Sequence, residues 1–142
     1  MANKIGFIDE DPCQNYHPLN RETRKVDFFD RKNIYNCDYT WNYYCSLDWK
    51  GPGWYRVVSP AGTMLAESDD SVQLQYHCGT MGAAWLKNGT HADVANGDTV
   101  DAQACVDQSC WFSTQIKIKN CGNYFVYNLQ PLTQCDSGYC TM

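Results

Sequence analysis

Gln115-Ile116-Lys117-Ile118-Lys119 alternates strictly between polar and apolar residues, which puts both isoleucines on one face of a strand. Asn120-Cys121-Gly122 interrupts it, and Asn123-Tyr124-Phe125-Val126-Tyr127-Asn128-Leu129 follows as a second strand, rich in aromatic and β-branched residues. Upstream, Gly53-Trp54-Tyr55-Arg56-Val57-Val58 reads as another strand, stopped by Ser59-Pro60-Ala61-Gly62. Thr63-Met64-Leu65-Ala66-Glu67 then follows at hairpin distance, so these two runs are expected to pair. Helix signals are weak, because Gly, Pro, Asn and Asp recur every few residues. The expected fold class is β-rich, all-β to α+β: a small, disulfide-stapled extracellular domain with long loops.

Composition explains the staples. The chain has 142 residues, 10 Tyr, 5 Trp, 5 Phe and 9 Cys, but only 20 Val, Ile and Leu together. Burial contributes roughly 25 cal/mol per Å² against about 1–2 kcal/mol of backbone entropy per residue. A chain this poor in branched aliphatics needs covalent help, and dense cysteine in a small domain marks an oxidising, secreted setting. Nine is odd, so one thiol is left over.

No composition break or linker divides Cys13 to Cys140, which argues for one domain over residues 13–142. Residues 1–12, closing at Asp9-Glu10-Asp11-Pro12, read as an N-terminal arm. The net charge is −5 and no basic cluster extends beyond Arg21-Arg24-Lys25, so nucleic acid and anionic membranes are poor partners. No apolar window is long enough to span a bilayer. The first residues lack the apolar stretch of a signal peptide, so a secreted protein would carry this as its mature sequence.

Asn88-Gly89-Thr90 is an N-glycosylation acceptor, and its Asn-Gly dipeptide asks for an exposed turn. Catalytic and metal patterns are absent from the sequence. His17, His77 and His91 fall in no nucleophile or metal spacing, and Cys105-x4-Cys110 lacks the second pair that zinc needs and reads as a short disulfide loop. Asp69-Asp70 and Asp9/Glu10/Asp11 read as solvated turn charges rather than calcium ligands. The expectation is a non-enzyme with no cofactor and no metal. Tyr39, Trp41, Tyr43, Tyr44, Trp49 and Trp54 could form a stacking surface, although bulky aromatics also fill a core short of Leu and Ile.

Several spaced motifs carry a resemblance over roughly residues 11–141. They include Asp11-Pro12-Cys13-Gln14-Asn15-Tyr16, Gly53-Trp54-Tyr55-Arg56, Trp85-Leu86-Lys87-Asn88-Gly89-Thr90-His91, Ile118-Lys119-Asn120-Cys121, and Cys135-x4-Cys140. The chain resembles the eight- or ten-cysteine extracellular domain family of uromodulin and the pancreatic zymogen-granule glycoprotein. The resemblance implies pairing of Cys13 with Cys121, Cys37 with Cys135, Cys78 with Cys140 and Cys105 with Cys110. It places Ser68 and Ser109 where ten-cysteine members carry a fifth bridge. Cys45 has no counterpart and is the odd thiol, with two fates open: a buried inert thiol, or an intermolecular disulfide or adduct. On the Asn-Gly-Thr-His loop these relatives carry an N-glycan, which in uromodulin is high-mannose and is captured by the mannose-specific adhesin of bacterial type 1 pili. The resemblance implies the same handle at Asn88, set after an extra Lys87.

Two functions follow as expectations. The first is a secreted, non-catalytic glycoprotein module that presents a protein surface and a glycan to a glycan-binding or other extracellular protein. The alternative is a structural subunit of an extracellular filament or coat, a homo-oligomer or polymer assembling through the arm, the aromatic surface or Cys45. In either case the implied Cys13–Cys121 bridge, closing about 100 residues, is worth about 4–5 kcal/mol in the chain-entropy model. Reduction should therefore unfold the domain, and a reduced sample that kept native amide-exchange protection would refute this.

Overall fold

A computed structural model of the chain describes residues 10–39, 47–68, 76–132 and 136–142. Eight strands build one sheet: β1 (His17–Leu19), β2 (Gly53–Val57), β3 (Glu67–Ser68), β4 (Gly82–Lys87), β5 (Thr99–Val106), β6 (Phe112–Asn120), β7 (Phe125–Leu129) and β8 (Ser137–Tyr139). Two short 3-10 turns, Glu22–Arg24 and His91–Asp93, are the helical elements among the described residues. Neither is long and apolar enough to cross a membrane. The domain is β-rich, with three disulfides among the described residues.

The sheet runs β1-β2-β7-β6-β5-β4-β3. Its centre is the antiparallel meander β4 to β7, in which Ile118 faces both Val100 and Tyr127. Ile116 and Ile118 are buried while Lys117 is exposed, as the alternation requires. The edges are made by distant segments joining in parallel. β1 pairs with β2, with His17 opposite Tyr55, and β3 and β8 lie end to end along the free edge of β4.

The expected hairpin of Gly53–Val58 with Thr63–Glu67 does not form. β2 is sandwiched between β1 and β7, so both its edges are taken. The chain after Gly62 instead meets the C-terminus: Thr63 and Met64 amides donate to the Met142 carbonyl, Met142 donates back to Met64, and Ala66 donates to Cys140. Gly62 has φ +104, and a side chain there would run into the Met142 carbonyl at 2.5 Å.

Aromatics fill the core where Leu and Ile are short. Trp49 stacks on Tyr55 at 5.1 Å and 6° and lies near Tyr139, and Tyr55, Tyr127 and Tyr139 are all fully buried. Trp49 is therefore core. It shares no surface with Trp54, and Trp41, Tyr43 and Tyr44 lie outside the described residues.

Arg24 belongs to no surface basic cluster. It is fully buried, and its guanidinium forms a fork with both Asp38 oxygens at 2.7 and 2.8 Å, while its Nε and Nη2 donate to Asp48 at 2.7 to 3.2 Å. Nη1 also donates to the Tyr139 carbonyl, whose own amide donates to Asp38. Burial alone would lower the Arg24 pKa, but the two carboxylates raise it further above its ordinary value. Burial likewise acts to raise Asp48, and the Arg24 charge outweighs it and holds the carboxyl below the usual range.

Arg24→Ala should cost about 3–5 kcal/mol in denaturant unfolding, because it strands two buried carboxylates. Arg24→Lys should rescue little of this, since a point charge cannot satisfy both forks. Because Asp48 is depressed in the fold, its share of stability is complete above an unfolded value of about 3.9 and is lost as pH falls through the lower folded value. An acid titration of stability that is equally steep in wild type and Asp48→Asn would contradict this.

Candidate functional site: the Asn88 turn

β4 ends at Lys87, and residues 88–90 turn into the His91–Asp93 3-10 element. Asn88 and Gly89 are exposed, Gly89 sits at φ +89, and nothing lies within 4 Å of where a Gly89 side chain would begin. The acceptor asparagine thus stands on an open corner. Thr90 folds back, its hydroxyl donating to the Lys87 carbonyl at 2.6 Å.

Beneath the turn lies a polar relay that the sequence does not reveal. Glu67 of β3 accepts the Gly89 amide on Oε1 at 2.9 Å and the His91 amide on Oε2 at 2.7 Å, and it also accepts from His91 Nδ1. On its other side the His91 ring takes the Tyr127 hydroxyl at Nε2, 2.8 Å away, and the same hydroxyl oxygen accepts the Leu65 amide at 3.0 Å. One tautomer satisfies every group: Nδ1–H donates to Glu67 and Nε2 accepts from Tyr127. Phe125 packs edge-on against the ring at 4.7 Å.

Burial lowers the His91 pKa, and the opposing pull of Glu67 does not restore it, so the ring is neutral at neutral pH. Burial acts to raise Glu67, and the hydrogen bonds from His91 and Gly89 outweigh it, leaving a carboxylate. Burial raises Tyr127, which keeps its proton for His91. Protonating Nε2 would turn an acceptor into a donor aimed at a hydroxyl that already donates to it. The arrangement is a clamp: Tyr127 is fully buried and His91 nearly so, and the ring's two nitrogens are committed to Glu67 and Tyr127.

The other expected residues are spread over the fold. Cys13 is bridged to Cys121, Cys78 to Cys140 and Cys105 to Cys110, with Cα separations of 5.8, 5.2 and 4.8 Å. Cys37 is buried and the amide of its neighbour Asp38 donates to the Ser137 carbonyl, while Cys135 and Cys45 lie outside the described residues. Ser68 is buried in β3 and Ser109 is exposed in the loop that Cys105–Cys110 closes. His17 is exposed, and His77 sets Nδ1 at 2.7 Å from the Val26 carbonyl. Asp11 accepts the Cys13 amide and lies 3.5 Å from Lys119, while Asp9, Asp69 and Asp70 lie outside the described residues. Among the described residues no three His, Cys, Asp or Glu side chains gather as a metal site.

The uromodulin-like domain family matches residues 55–141. The chain belongs to this family. It is 34% identical over 139 residues to uromodulin of Rattus norvegicus, covering 95% of the chain and 19% of that protein. It is 32% identical over 143 residues to the pancreatic secretory granule membrane major glycoprotein GP2 of Canis lupus familiaris, covering 98% of the chain and 25% of that protein. This uromodulin-like domain thus spans a quarter or less of these relatives, and it is an extracellular, disulfide-bonded domain.

A pH test follows from the clamp. His91 is depressed in the fold, so its contribution is complete above an unfolded value of about 6.5 and is lost as pH falls through the lower folded value. Exchange of the Gly89 and His91 amides, corrected for intrinsic rate, should rise as the pH is lowered below the unfolded value, and before that of Ile116 does. Glu67→Gln should raise it at neutral pH by tenfold or more, the loss of a charge-assisted bond of about 1.5–3 kcal/mol. Unchanged protection in both experiments would remove the clamp.

Proposed function

We propose that this domain is a non-catalytic module that carries an N-glycan on Asn88 and holds it in a fixed pose for an extracellular glycan-binding protein. One observation carries the reading: the acceptor sits on an exposed corner, and the nearby Gly89 and His91 amides are both tied to Glu67. A glycan there meets solvent, and the turn that carries it is tied to the sheet through Glu67, His91 and Tyr127. Rigidity of that turn lowers the ordering cost that a binding partner must meet. The partner favoured by the resemblance is a mannose-specific pilus adhesin, provided that the attached glycan is high-mannose. The filament alternative rests on the arm of residues 1–12, the aromatic surface and Cys45; of these, residues 1–9, Trp41, Tyr43, Tyr44 and Cys45 lie outside the described residues, and Trp49 is buried in the core.

Cys37 with Cys135 is the fourth bridge in this proposal. Support comes from the Asn36–Asp38 segment, which runs so close to β8 that a side chain on Gly138 would meet the Asn36 carbonyl at 3.1 Å. Cys135 lies two positions before Ser137, whose carbonyl accepts from Asp38.

Secreted from cells restricted to high-mannose glycans, the chain should lose one glycan's mass on glycosidase treatment and should bind a mannose-specific adhesin. Asn88→Gln and Thr90→Ala should each abolish both behaviours while leaving amide exchange in β5 to β7 native. An Asn88→Gln protein that still binds in a mannose-dependent way would overturn the proposal.

A further inference from the structure

At the end of the strand order opposite to β4 and its Asn88 turn, an open cleft of about 400 Å³ lies beside β1, walled by Gln14, Asn15, Tyr16, His17 and Trp54. That volume is within the roughly 300–1,000 Å³ of small-ligand sites. Strand alternation puts Trp54 there. Tyr55 and Val57 turn into the core, so Trp54 and Arg56 must face outward from β2. Because β1 runs parallel to β2 with His17 opposite Tyr55, the residues entering β1 pass alongside Trp54.

The facing wall is fixed in place before any ligand arrives. Cys13 is bridged to Cys121, and the Gln14 and Asn15 amides both donate to the Asp11 carbonyl, as does the Asn15 side chain. Arg56 donates to the Tyr16 hydroxyl at 3.0 Å and lies 3.7 Å over the Tyr124 ring, with Tyr16 and Tyr124 edge to face at 6.3 Å. The Arg56 charge is thereby engaged behind the wall rather than inside the cleft.

The lining offers an indole, an imidazole, a phenol whose oxygen already accepts from Arg56, and two carboxamides, of which that of Asn15 already donates to the Asp11 carbonyl, with no carboxylate, lysine or arginine among the lining residues. Phosphate or acidic ligands find no cation there. A purely apolar ligand would desolvate the carboxamides without pairing them. An extended peptide adding to the β1 edge meets a three-residue strand with Pro18 at its centre, which offers no amide donor at that position. A pyranose ring fits both halves of the lining: its C–H face packs on an aromatic plane, and its hydroxyls, each donor and acceptor, suit carboxamides that are both as well. A second cavity of about 290 Å³ shares His17 and is lined beyond it by Pro18, Asn20, Leu47, Lys50 and Asp48, whose carboxylate is already taken by Arg24 and the Asn20 amide, giving room for more than one ring.

We propose that the cleft between the Gln14–His17 segment and Trp54 is a binding site for a neutral oligosaccharide. The domain would then carry a glycan at one end of its sheet and take one at the other, and the two sites are separable by mutation.

The test uses the whole chain with its bridges intact and Asn88→Gln, so that the protein's own glycan neither competes nor confuses the readout. Neutral oligosaccharides ending in mannose, galactose or N-acetylglucosamine are screened on an array, and binders are titrated by tryptophan fluorescence and by NMR of side-chain N–H groups. At least one class should bind and shift the Trp54 indole and the Gln14 and Asn15 carboxamide signals. Trp54→Ala should weaken binding tenfold or more, Gln14→Ala should weaken it severalfold, and Trp54→Phe, which keeps an aromatic plane and guards against misfolding, should retain part of it. Failure of every neutral saccharide to bind a protein with native amide exchange would overturn the proposal. So would binding indifferent to Trp54→Ala and Gln14→Ala, or shifts confined to residues away from the cleft.

Discussion

The buried fork of Arg24 with Asp38 and Asp48 is the constraint on which the rest of the domain depends. Every N–H of that guanidinium has an acceptor, and the two carboxylates also accept the Tyr139 and Asn20 amides. Four stretches of chain therefore meet at one point: the turn at 20–24, Asp38, Asp48, and β8 with its continuation to Thr141, whose amide donates to Arg24. Among the described residues between 20 and 50, the Glu22–Arg24 turn is the one regular element, so the placement of this stretch against the sheet must come from specific polar contacts. A cluster of charges in place of a greasy contact is a costly way to gain stability, but it tolerates only one geometry. In this domain it sets where the loops and the C-terminus close over β4.

A core built from tyrosines serves the same end. Each fully buried tyrosine brings its ring to the sheet and its hydroxyl to a loop. Tyr55 donates to Gly51 and accepts from Lys50, Tyr139 donates to Gln130, and Tyr127 accepts from Leu65 while holding His91. A leucine would supply the packing without the tether. The poverty in branched aliphatics is thus tied to the loop-heavy design, and the bridges of Cys13 and Cys78 join the same N- and C-terminal segments to the sheet.

How much of the fold is legible in the sequence follows the range of the interaction. The alternation in 115–119 and the aromatic run after Gly122 report β6 and β7 because a strand's periodicity is local. Thr99–Val106 gives no such signal, because its inward face carries only Val and Ala between polar residues, too weak a contrast to read without the pairing of β4 and β6 on either side. The hairpin expected after Val58 fails because the partner that claims residues 63–66 is the chain's own C-terminus, some seventy-five residues away. Arg24 sits in sequence like part of a surface charge cluster, and its partners Asp38 and Asp48, 14 and 24 residues on, give no sign of their role. The Asn88 acceptor is visible as a motif. Its support from Glu67 and Tyr127, 24 and 36 residues from His91, is not.

Tyr127 links the core to both proposed sites, since one hydroxyl both closes a core tether and completes the clamp under the Asn88 turn. Its strand, β7, also pairs with β2, whose outward Trp54 walls the cleft at the far end. Neither proposed site needs a catalytic group or a moving part. Both need rigid stems, because a presented sugar and a sugar-binding wall each lose affinity when the protein must first be ordered. The bridges, the Arg24 fork and the tyrosine tethers all supply that rigidity, so both proposals rest on the same features that let a domain this poor in aliphatics fold.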